Sequence, residues 1–496
     1  MRILIRGVLQ GTLMLIFFLA VTVVPAQAYQ WGKFTFDGYI LNETAFAFNN
    51  QAYTGDGLTF YSHKSNFQKI RNVMNLELGY QFSKNIKGFV QVRPVYDAAF
   101  DCGERGIEGR KNLDNNWSEE AWYDYEPIIR EAWVEFQAGR LYGRIGKQLV
   151  TWGTADGFRL MDAVNTFNYR DFIKPADEDY KIPNAMINLK YRVAEKTNLQ
   201  LLMIPRFIHS WLPEIRHPYS FNVSSAFANF ERALGPAGLR FRYDDPSTSW
   251  KDASYGVRLA SHIQKINLDY TLNWLKSYDQ FPILVPEMHK GLIDLGPYGV
   301  WPRAWKYMHN RLNLWGGTFA YNIPQFCLFG KSIDLLYGSI LRGEFAYIHK
   351  QAFTNVLYAV EMRDTINFLF GFDRYYAWRI GPGNRDWWLS AQLKWTKIKG
   401  KDDYDYLGAG LDRIDRWQMG YSLLIMTDWL ANRLSLYWLT VGFDDGGMWT
   451  FPKLTYEFTD KLRGTIGYYY IKGHRTDLIG EFRDNDTIEM AWKYSF

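Results

Sequence analysis

The chain ends DTIEMAWKYSF, Asp486 to Phe496. Ile488, Met490, Trp492, Tyr494 and Phe496 share one parity, and Glu489, Lys493 and Ser495 share the other. Successive strand side chains point to opposite faces, so one face of this segment is almost wholly aromatic and apolar. A second sheet could cover such a face, and so could lipid. The rest of the chain decides between them.

The same period of two recurs along the whole length. Met74, Leu76, Leu78, Tyr80 and Phe82 alternate with polar or small residues, as do Ile266, Leu268, Tyr270, Leu272 and Trp274. Strands are expected near 33–48, 67–82, 88–97, 128–138, 141–152, 184–192, 198–206, 252–263, 265–276, 310–322, 333–348, 364–373, 386–398, 414–428, 433–443, 447–458, 462–472 and 486–496. That makes about eighteen, with sixteen as the alternative. Short polar turns follow strands 2, 4, 6, 8, 14 and 16, for example Ser83-Lys84-Asn85 and Gly139-Arg140; the exceptions are the middling connections after strands 10 and 12 and the short link near Asp444. Most long connections follow odd ones: 98–127, 153–183, 207–251, 277–309 and 349–363. Short periplasmic turns and long extracellular loops on an even number of strands are the pattern of an outer-membrane barrel.

Composition agrees with that reading. Aromatic residues make up 18% and charged residues 22%, and they mix along short segments instead of forming apolar blocks. Arg2 and Arg6 precede an apolar run from Gly7 to Val24, followed by Ala26-Gln27-Ala28, the order of an export leader and its cleavage site. Residues 1–28 are therefore expected to be a cleaved signal peptide and 29–496 a single barrel. Elsewhere no run approaches the roughly 20 apolar residues of a membrane helix. In hydrocarbon every backbone polar group needs a partner, so the sheet must close and the last strand must pair with the first. The expected fold is all-β, a transmembrane antiparallel β-barrel in a Gram-negative outer membrane, and the first strand starts too early for a plug ahead of it.

About eighteen strands leave an aqueous lumen, so passage of small solutes is the expected function. Polar parity puts Arg71, Arg93, Arg144, Lys190, Arg192, Arg206, Arg258, Arg342 and Lys394 inward, with Asp37, Glu43, Glu77, Glu131, Glu135, Asp269 and Glu344. The near balance implies at most a slight anion preference. The connection 153–183 mixes Asp156, Arg159, Asp162, Arg170, Asp171 and Lys174 with Phe158, Leu160, Met161, Val164 and Phe167. Long loops without strands are functional or disordered, and the apolar interleaving favours an ordered constriction folded into the lumen.

The residues leading into it are GRIGKQLVTWG, Gly143 to Gly153. Through Gly146, Gln148, Val150, Trp152 and Gly153 they resemble the strand-and-turn signature of the proteobacterial porin-like family catalogued as domain of unknown function 1302; the architecture is more distantly similar to alginate-export barrels. Lys147 stands where that family usually has Arg, and Asn165-Thr166 where Asn-Pro is common. The resemblance implies an outer-membrane location and transport without naming a substrate. The terminal aromatic strand also resembles the signal read by the barrel-assembly machinery.

Other classes fare less well. The eight histidines show no Ser-His or metal-ligand spacing, so neither an enzyme nor a metal site is expected, and the absence of C-x-x-C-H leaves no covalent haem or other cofactor. A net charge of +5 without a basic run gives no nucleic-acid partner. Cys102 and Cys327 are compatible with one bridge or two thiols. The expected partners are outer-membrane lipid, the assembly machinery, small-molecule solutes and, as an open option, further copies of the barrel. Aromatic clusters at Trp117, Trp122, Tyr123 and Tyr125 and at Trp301, Trp305 and Tyr307 raise uptake of hydrophobic compounds as the alternative function.

Overall fold

The computed structural model describes residues 29–48, 52–55, 58–62, 67–97, 128–169, 181–211, 240–294, 300–324, 326–328, 331–333, 336–355, 359–378, 380–381, 385–400, 406–407, 413–474, 479–483 and 485–496. The leader, the Trp117–Tyr125 cluster, Cys102, and Arg170, Asp171 and Lys174 lie outside them.

Eighteen antiparallel strands form the barrel. In chain order they are β1 (Phe34–Ala47), β2 (Phe67–Ser83), β3 (Ile86–Val92, resuming as Val95–Asp97), β4 (Ile129–Ala138), β5 (Leu141–Gln148), β6 (Asn184–Ala194), β7 (Thr197–Ile204), β8 (Ser254–Ile263) and β9 (Leu268–Tyr278). The second half comprises β10 (Arg311–Asn322), β11 (Ile340–Asn355), β12 (Val360–Trp378), β13 (Arg385–Ile398), β14 (Trp417–Trp429), β15 (Leu434–Phe443), β16 (Met448–Glu457), β17 (Leu462–Lys472) and β18 (Thr487–Ser495). Each strand pairs with its neighbours in sequence, and β18 returns to β1 in a register running from Tyr39↔Ser495 to Ala47↔Thr487. Beyond it Phe496 and Gly38 exchange backbone hydrogen bonds of 3.0 and 3.2 Å. The opening stretch is thus the closing seam.

The two faces are inverted relative to a water-soluble sandwich. Leu272 (58% exposed), Trp315 (53%), Leu393, Tyr421, Ile466 and Trp492 stand outside, whereas Asn75 (0%), Gln392 (2%), Asn188 and Gln200 are buried inside. With its backbone bonds closed and its apolar residues outermost, the sheet satisfies hydrocarbon and encloses water. The chain is an outer-membrane barrel.

Turn chemistry explains the parity of the connections. Gly139 (φ +58) and Asn267 (φ +50) occupy the left-handed region in the tight links after β4 and β8. One expected long loop is corrected. In place of a 349–363 connection, β11 and β12 stay paired through a bulge after Ile348 as far as Thr354↔Val360, leaving only 356–359 between them. These strand ends outrun the lipid belt, so the sequence there carries no lipid-facing alternation to read.

Candidate functional site

The segment after β5 folds into the barrel. At its root, Gln148, Asn188 and Gln200 sit side by side on the inner faces of β5, β6 and β7. Asn188 Nδ2 donates to Gln148 Oε1 at 3.2 Å, and Gln200 Nε2 donates to Asn188 Oδ1 at 2.9 Å. The buried Trp152 completes the row, its Nε1 donating to Gln200 Oε1 at 3.1 Å. Its ring lies over Gly256 of β8, where a Cβ would approach Cη2 to 2.8 Å, so only glycine leaves room.

From there the chain leaves the wall. The backbone N–H of Asp156 donates to Gln392 Oε1 on β13 at 3.1 Å, and its carbonyl accepts from Ser422 Oγ on β14 at 3.0 Å. β5 and β14 are nine strands apart in a barrel of eighteen, on opposite sides. Following the wall would take nine strand spacings, roughly 43 Å even without tilt. The eight residues from Gln148 to Asp156 reach at most about 28 Å. The segment therefore crosses the lumen.

Glu344 and Arg342, on the inner face of β11, hold it midway. The buried Glu344 carboxylate accepts from the N–H and, at 3.1 Å, the hydroxyl of Thr154, and from the N–H groups of Ala155 and Met161, both at 3.0 Å. Four donors compensate the desolvation of this acid. Arg342 bonds the Thr154 carbonyl and the Asp156 carboxylate, and pairs with Asp373 at 2.7 Å. At the far wall Phe158 packs beside Gly420 and Phe443, and Gly157 (φ +77) turns the chain back. Met161, Leu160 and Val164 pack against Leu275, Leu312, Leu314 and Ala346 on the return. Buried Asn165 ties the ends of the excursion together, accepting from Val150 N–H at 2.7 Å and donating to the carbonyls of Gln148 and Ile182.

Of the constriction residues expected from sequence, the structure describes three. Asp156 is engaged by Arg342, and Asp162 pairs with Lys181 at 2.6 Å. The Arg159 guanidinium lies 3.0 Å from the centre of the Phe167 ring. The two described acids of the segment are thus neutralised by cations of its own fold.

The wall charges divide into two groups. Arg71 lies 3.9 Å from both Glu43 and Asp97, and Arg93 is buried near them. Arg144 pairs with Glu135 at 2.7 Å and covers Trp133. By contrast Lys190, Arg192 and Arg258 have no carboxylate within ion-pair distance among the described residues. With Arg140 they line a hollow of ≈ 370 Å³ on the turn side of the segment; a second hollow of ≈ 160 Å³ adds Arg144 and Thr151. Arg258 also donates to the Thr151 carbonyl at 3.1 Å.

A family model described as "Protein of unknown function (DUF1302)" matches residues 11–496. The chain belongs to this family. The residues of the signature expected from sequence, Gly146, Gln148, Val150, Trp152 and Gly153, all lie where the crossing segment begins. A Cβ on Gly146 (φ +131) would come within 2.7 Å of Trp133 Cα, and one on Gly153 within 2.9 Å of the Asp162 nitrogen. No curated protein matches this DUF1302 chain. Its structure is similar to that of Acinetobacter baumannii OccAB1 (10% identity, TM-score 0.48, 95% of this chain and 97% of that one). It is also similar to Pseudomonas aeruginosa OccK5 (8%, 0.45, 94% and 98%) and to the outer membrane channel DcaP of A. baumannii (10%, 0.39, 95% and 100%). At such identities and TM-scores the likeness bears no further weight; the fold rests on the strand pairing itself.

Sequence reasoning put Glu344 on the inner wall and missed its role as an anchor. Gln392 and Ser422 were not singled out at all. Their partners lie 236 and 266 residues away, and no local pattern reveals such pairing. Trp305, readable from sequence either as a mouth aromatic for solutes or as a loop core, is the latter: it is fully buried and donates to the Pro302 carbonyl at 2.9 Å.

Proposed function

We propose that this barrel is a passive channel for small water-soluble solutes, narrowed by the segment from Thr151 to Phe167 and favouring anions. The reading is carried by the crossing of that segment from β5 to β14, where Gln392 and Ser422 hold Asp156. Lys190, Arg192 and Arg258 concentrate positive charge beside it with no ion-paired carboxylate among the described residues, and rings or clusters of one sign bias permeation. Reconstitution into planar bilayers tests this: stepwise conductance with a reversal potential shifted toward chloride under a KCl gradient is expected. An ohmic barrier with no steps, or a shift toward potassium, overturns it.

Uptake of hydrophobic compounds is less favoured. Phe158, Met161 and Phe167 are buried as the packing feet of the crossing segment and present no apolar track to a solute. An outer-membrane hydrolase is the remaining alternative class, and phospholipid turnover by purified barrel would install it in place of the channel. The signal peptide, the assembly machinery as partner and association of identical barrels belong to the same proposal, each open to a direct check by N-terminal sequencing, depletion of the machinery or native mass.

A further inference from the structure

Two loops at the long-connection end meet at a cluster that no spacing in the sequence announces: His209 after β7, Asp245 before β8 and His309 before β10. Backbone pairing creates the meeting. Arg240–Asp244 runs parallel to Ala304–Met308 with Asp244 opposite Met308, so the next residues on each, Asp245 and His309, emerge side by side. Ser210 N–H, bonded to the Gln280 carbonyl at 3.3 Å, holds the His209 strand against the same loop. One ligand atom from each of the three residues falls within 4.8 Å of the others.

The state of His309 is the telling feature. It is 4% exposed, and its ring packs 4.9 Å from that of Phe207. Nδ1 lies 2.7 Å from the Asp279 backbone carbonyl, which can only accept, so Nδ1 carries the proton. Nε2 is then a bare lone pair; among the described residues it is buried without a hydrogen-bond partner, and it sits 3.8 Å from Asp245 Oδ1. An imidazole oriented by a carbonyl through one nitrogen and left open at the other is the usual arrangement of a metal-ligating histidine. On the other side His209 Nδ1 is 2.9 Å from Asp245 Oδ2. The carboxylate thus turns one oxygen to each imidazole, Oδ2 to His209 and Oδ1 to His309, and one ligand atom from each residue lies within reach of a shared ion with ligands about 2.0–2.1 Å away.

We propose that His209, Asp245 and His309 bind one borderline first-row divalent cation, Zn²⁺ by ligand type, which clips the two loops together over the mouth at β7–β10. Two imidazoles and one carboxylate suit Zn²⁺ and not Mg²⁺ or Ca²⁺, which take oxygen. Asp245 is the most exposed of the three, so the fourth position is left to water on its side. The site abuts the return of the crossing segment, where Phe167 N–H donates to Ser210 Oγ at 3.2 Å beside His209, but its chemistry does not depend on the channel reading.

The test uses full-length barrel in detergent, stripped with EDTA and titrated with ZnCl₂ by calorimetry in millimolar Mg²⁺, which occupies lipid phosphate. One Zn²⁺ per barrel with submicromolar affinity is expected, together with slower trypsin cleavage between β7 and β8. His309→Gln and Asp245→Asn should each weaken binding by at least ~100-fold, and His262→Gln, far from the cluster, should not. Heat-modified gel mobility confirms an intact barrel for each variant. Because buried His309 also packs its loop, the solvent-exposed Asp245→Asn carries the result if His309→Gln does not fold. Zinc affinity weaker than ~10 µM in the parent, or unchanged in Asp245→Asn, overturns the proposal.

Discussion

The Met161 N–H donates to the carboxylate of Glu344 at 3.0 Å across 183 residues of sequence. Together with the two Thr154 donors and Ala155 N–H, this bond makes one side chain on β11 the midpoint support of a segment anchored at both walls. Removing it should release the narrowing while sparing the barrel, whose strand pairing it does not join. Glu344→Ala removes the acceptor of one buried and three part-buried donors and is expected to cost about 1–3 kcal/mol of segment docking. Single-channel conductance should rise and become noisier. Conductance equal to the parent's would mean that the segment does not limit flow.

Charge reversal tests selectivity separately. Lys190→Glu combined with Arg258→Glu turns two cations lining the ≈ 370 Å³ hollow into carboxylates. Reversal potentials in a KCl gradient should then move toward potassium. The single variant Arg71→Gln, beside Glu43 and Asp97, should move them less.

Trp152 packs over Gly256 and bonds Gln200, so Trp152→Ala loses both the ring's burial and a satisfied amide partner. A cost of roughly 3–5 kcal/mol is expected for so large a buried side chain. It should be confined to the root of the segment. Amide exchange should accelerate across 150–165 and stay slow in β1 and β18.

Outside the barrel the opposite chemistry holds. Leu272→Arg places a cation on the lipid face of β9 and should cost about 2–4 kcal/mol near the midplane, less toward either interface. Urea refolding into lipid vesicles, followed by gel mobility, measures it. Leu272→Phe should refold like the parent.

The strand architecture is legible in one dimension because the solvent writes it there. Lipid on one side and water on the other force an alternation of period two, and the tight turns after even strands leave short polar interruptions. The sequence by itself therefore determined an antiparallel barrel of sixteen to eighteen strands, the pairing of its last strand with its first, and an inward parity for Glu344, Arg342 and Lys190. At the ends of β11 and β12, beyond the lipid, that alternation stops and so did the reading. The tertiary structure alone decided what the inner residues do. Glu344 became a clamp because Thr154, Ala155 and Met161 arrive from the other side of the lumen; Lys190 meets no acid at ion-pair distance among the described residues; and His309 meets Asp245 only through pairing between two loops. Face is a local property of the chain, whereas partnership across a lumen depends on closure, which brings together residues hundreds of positions apart.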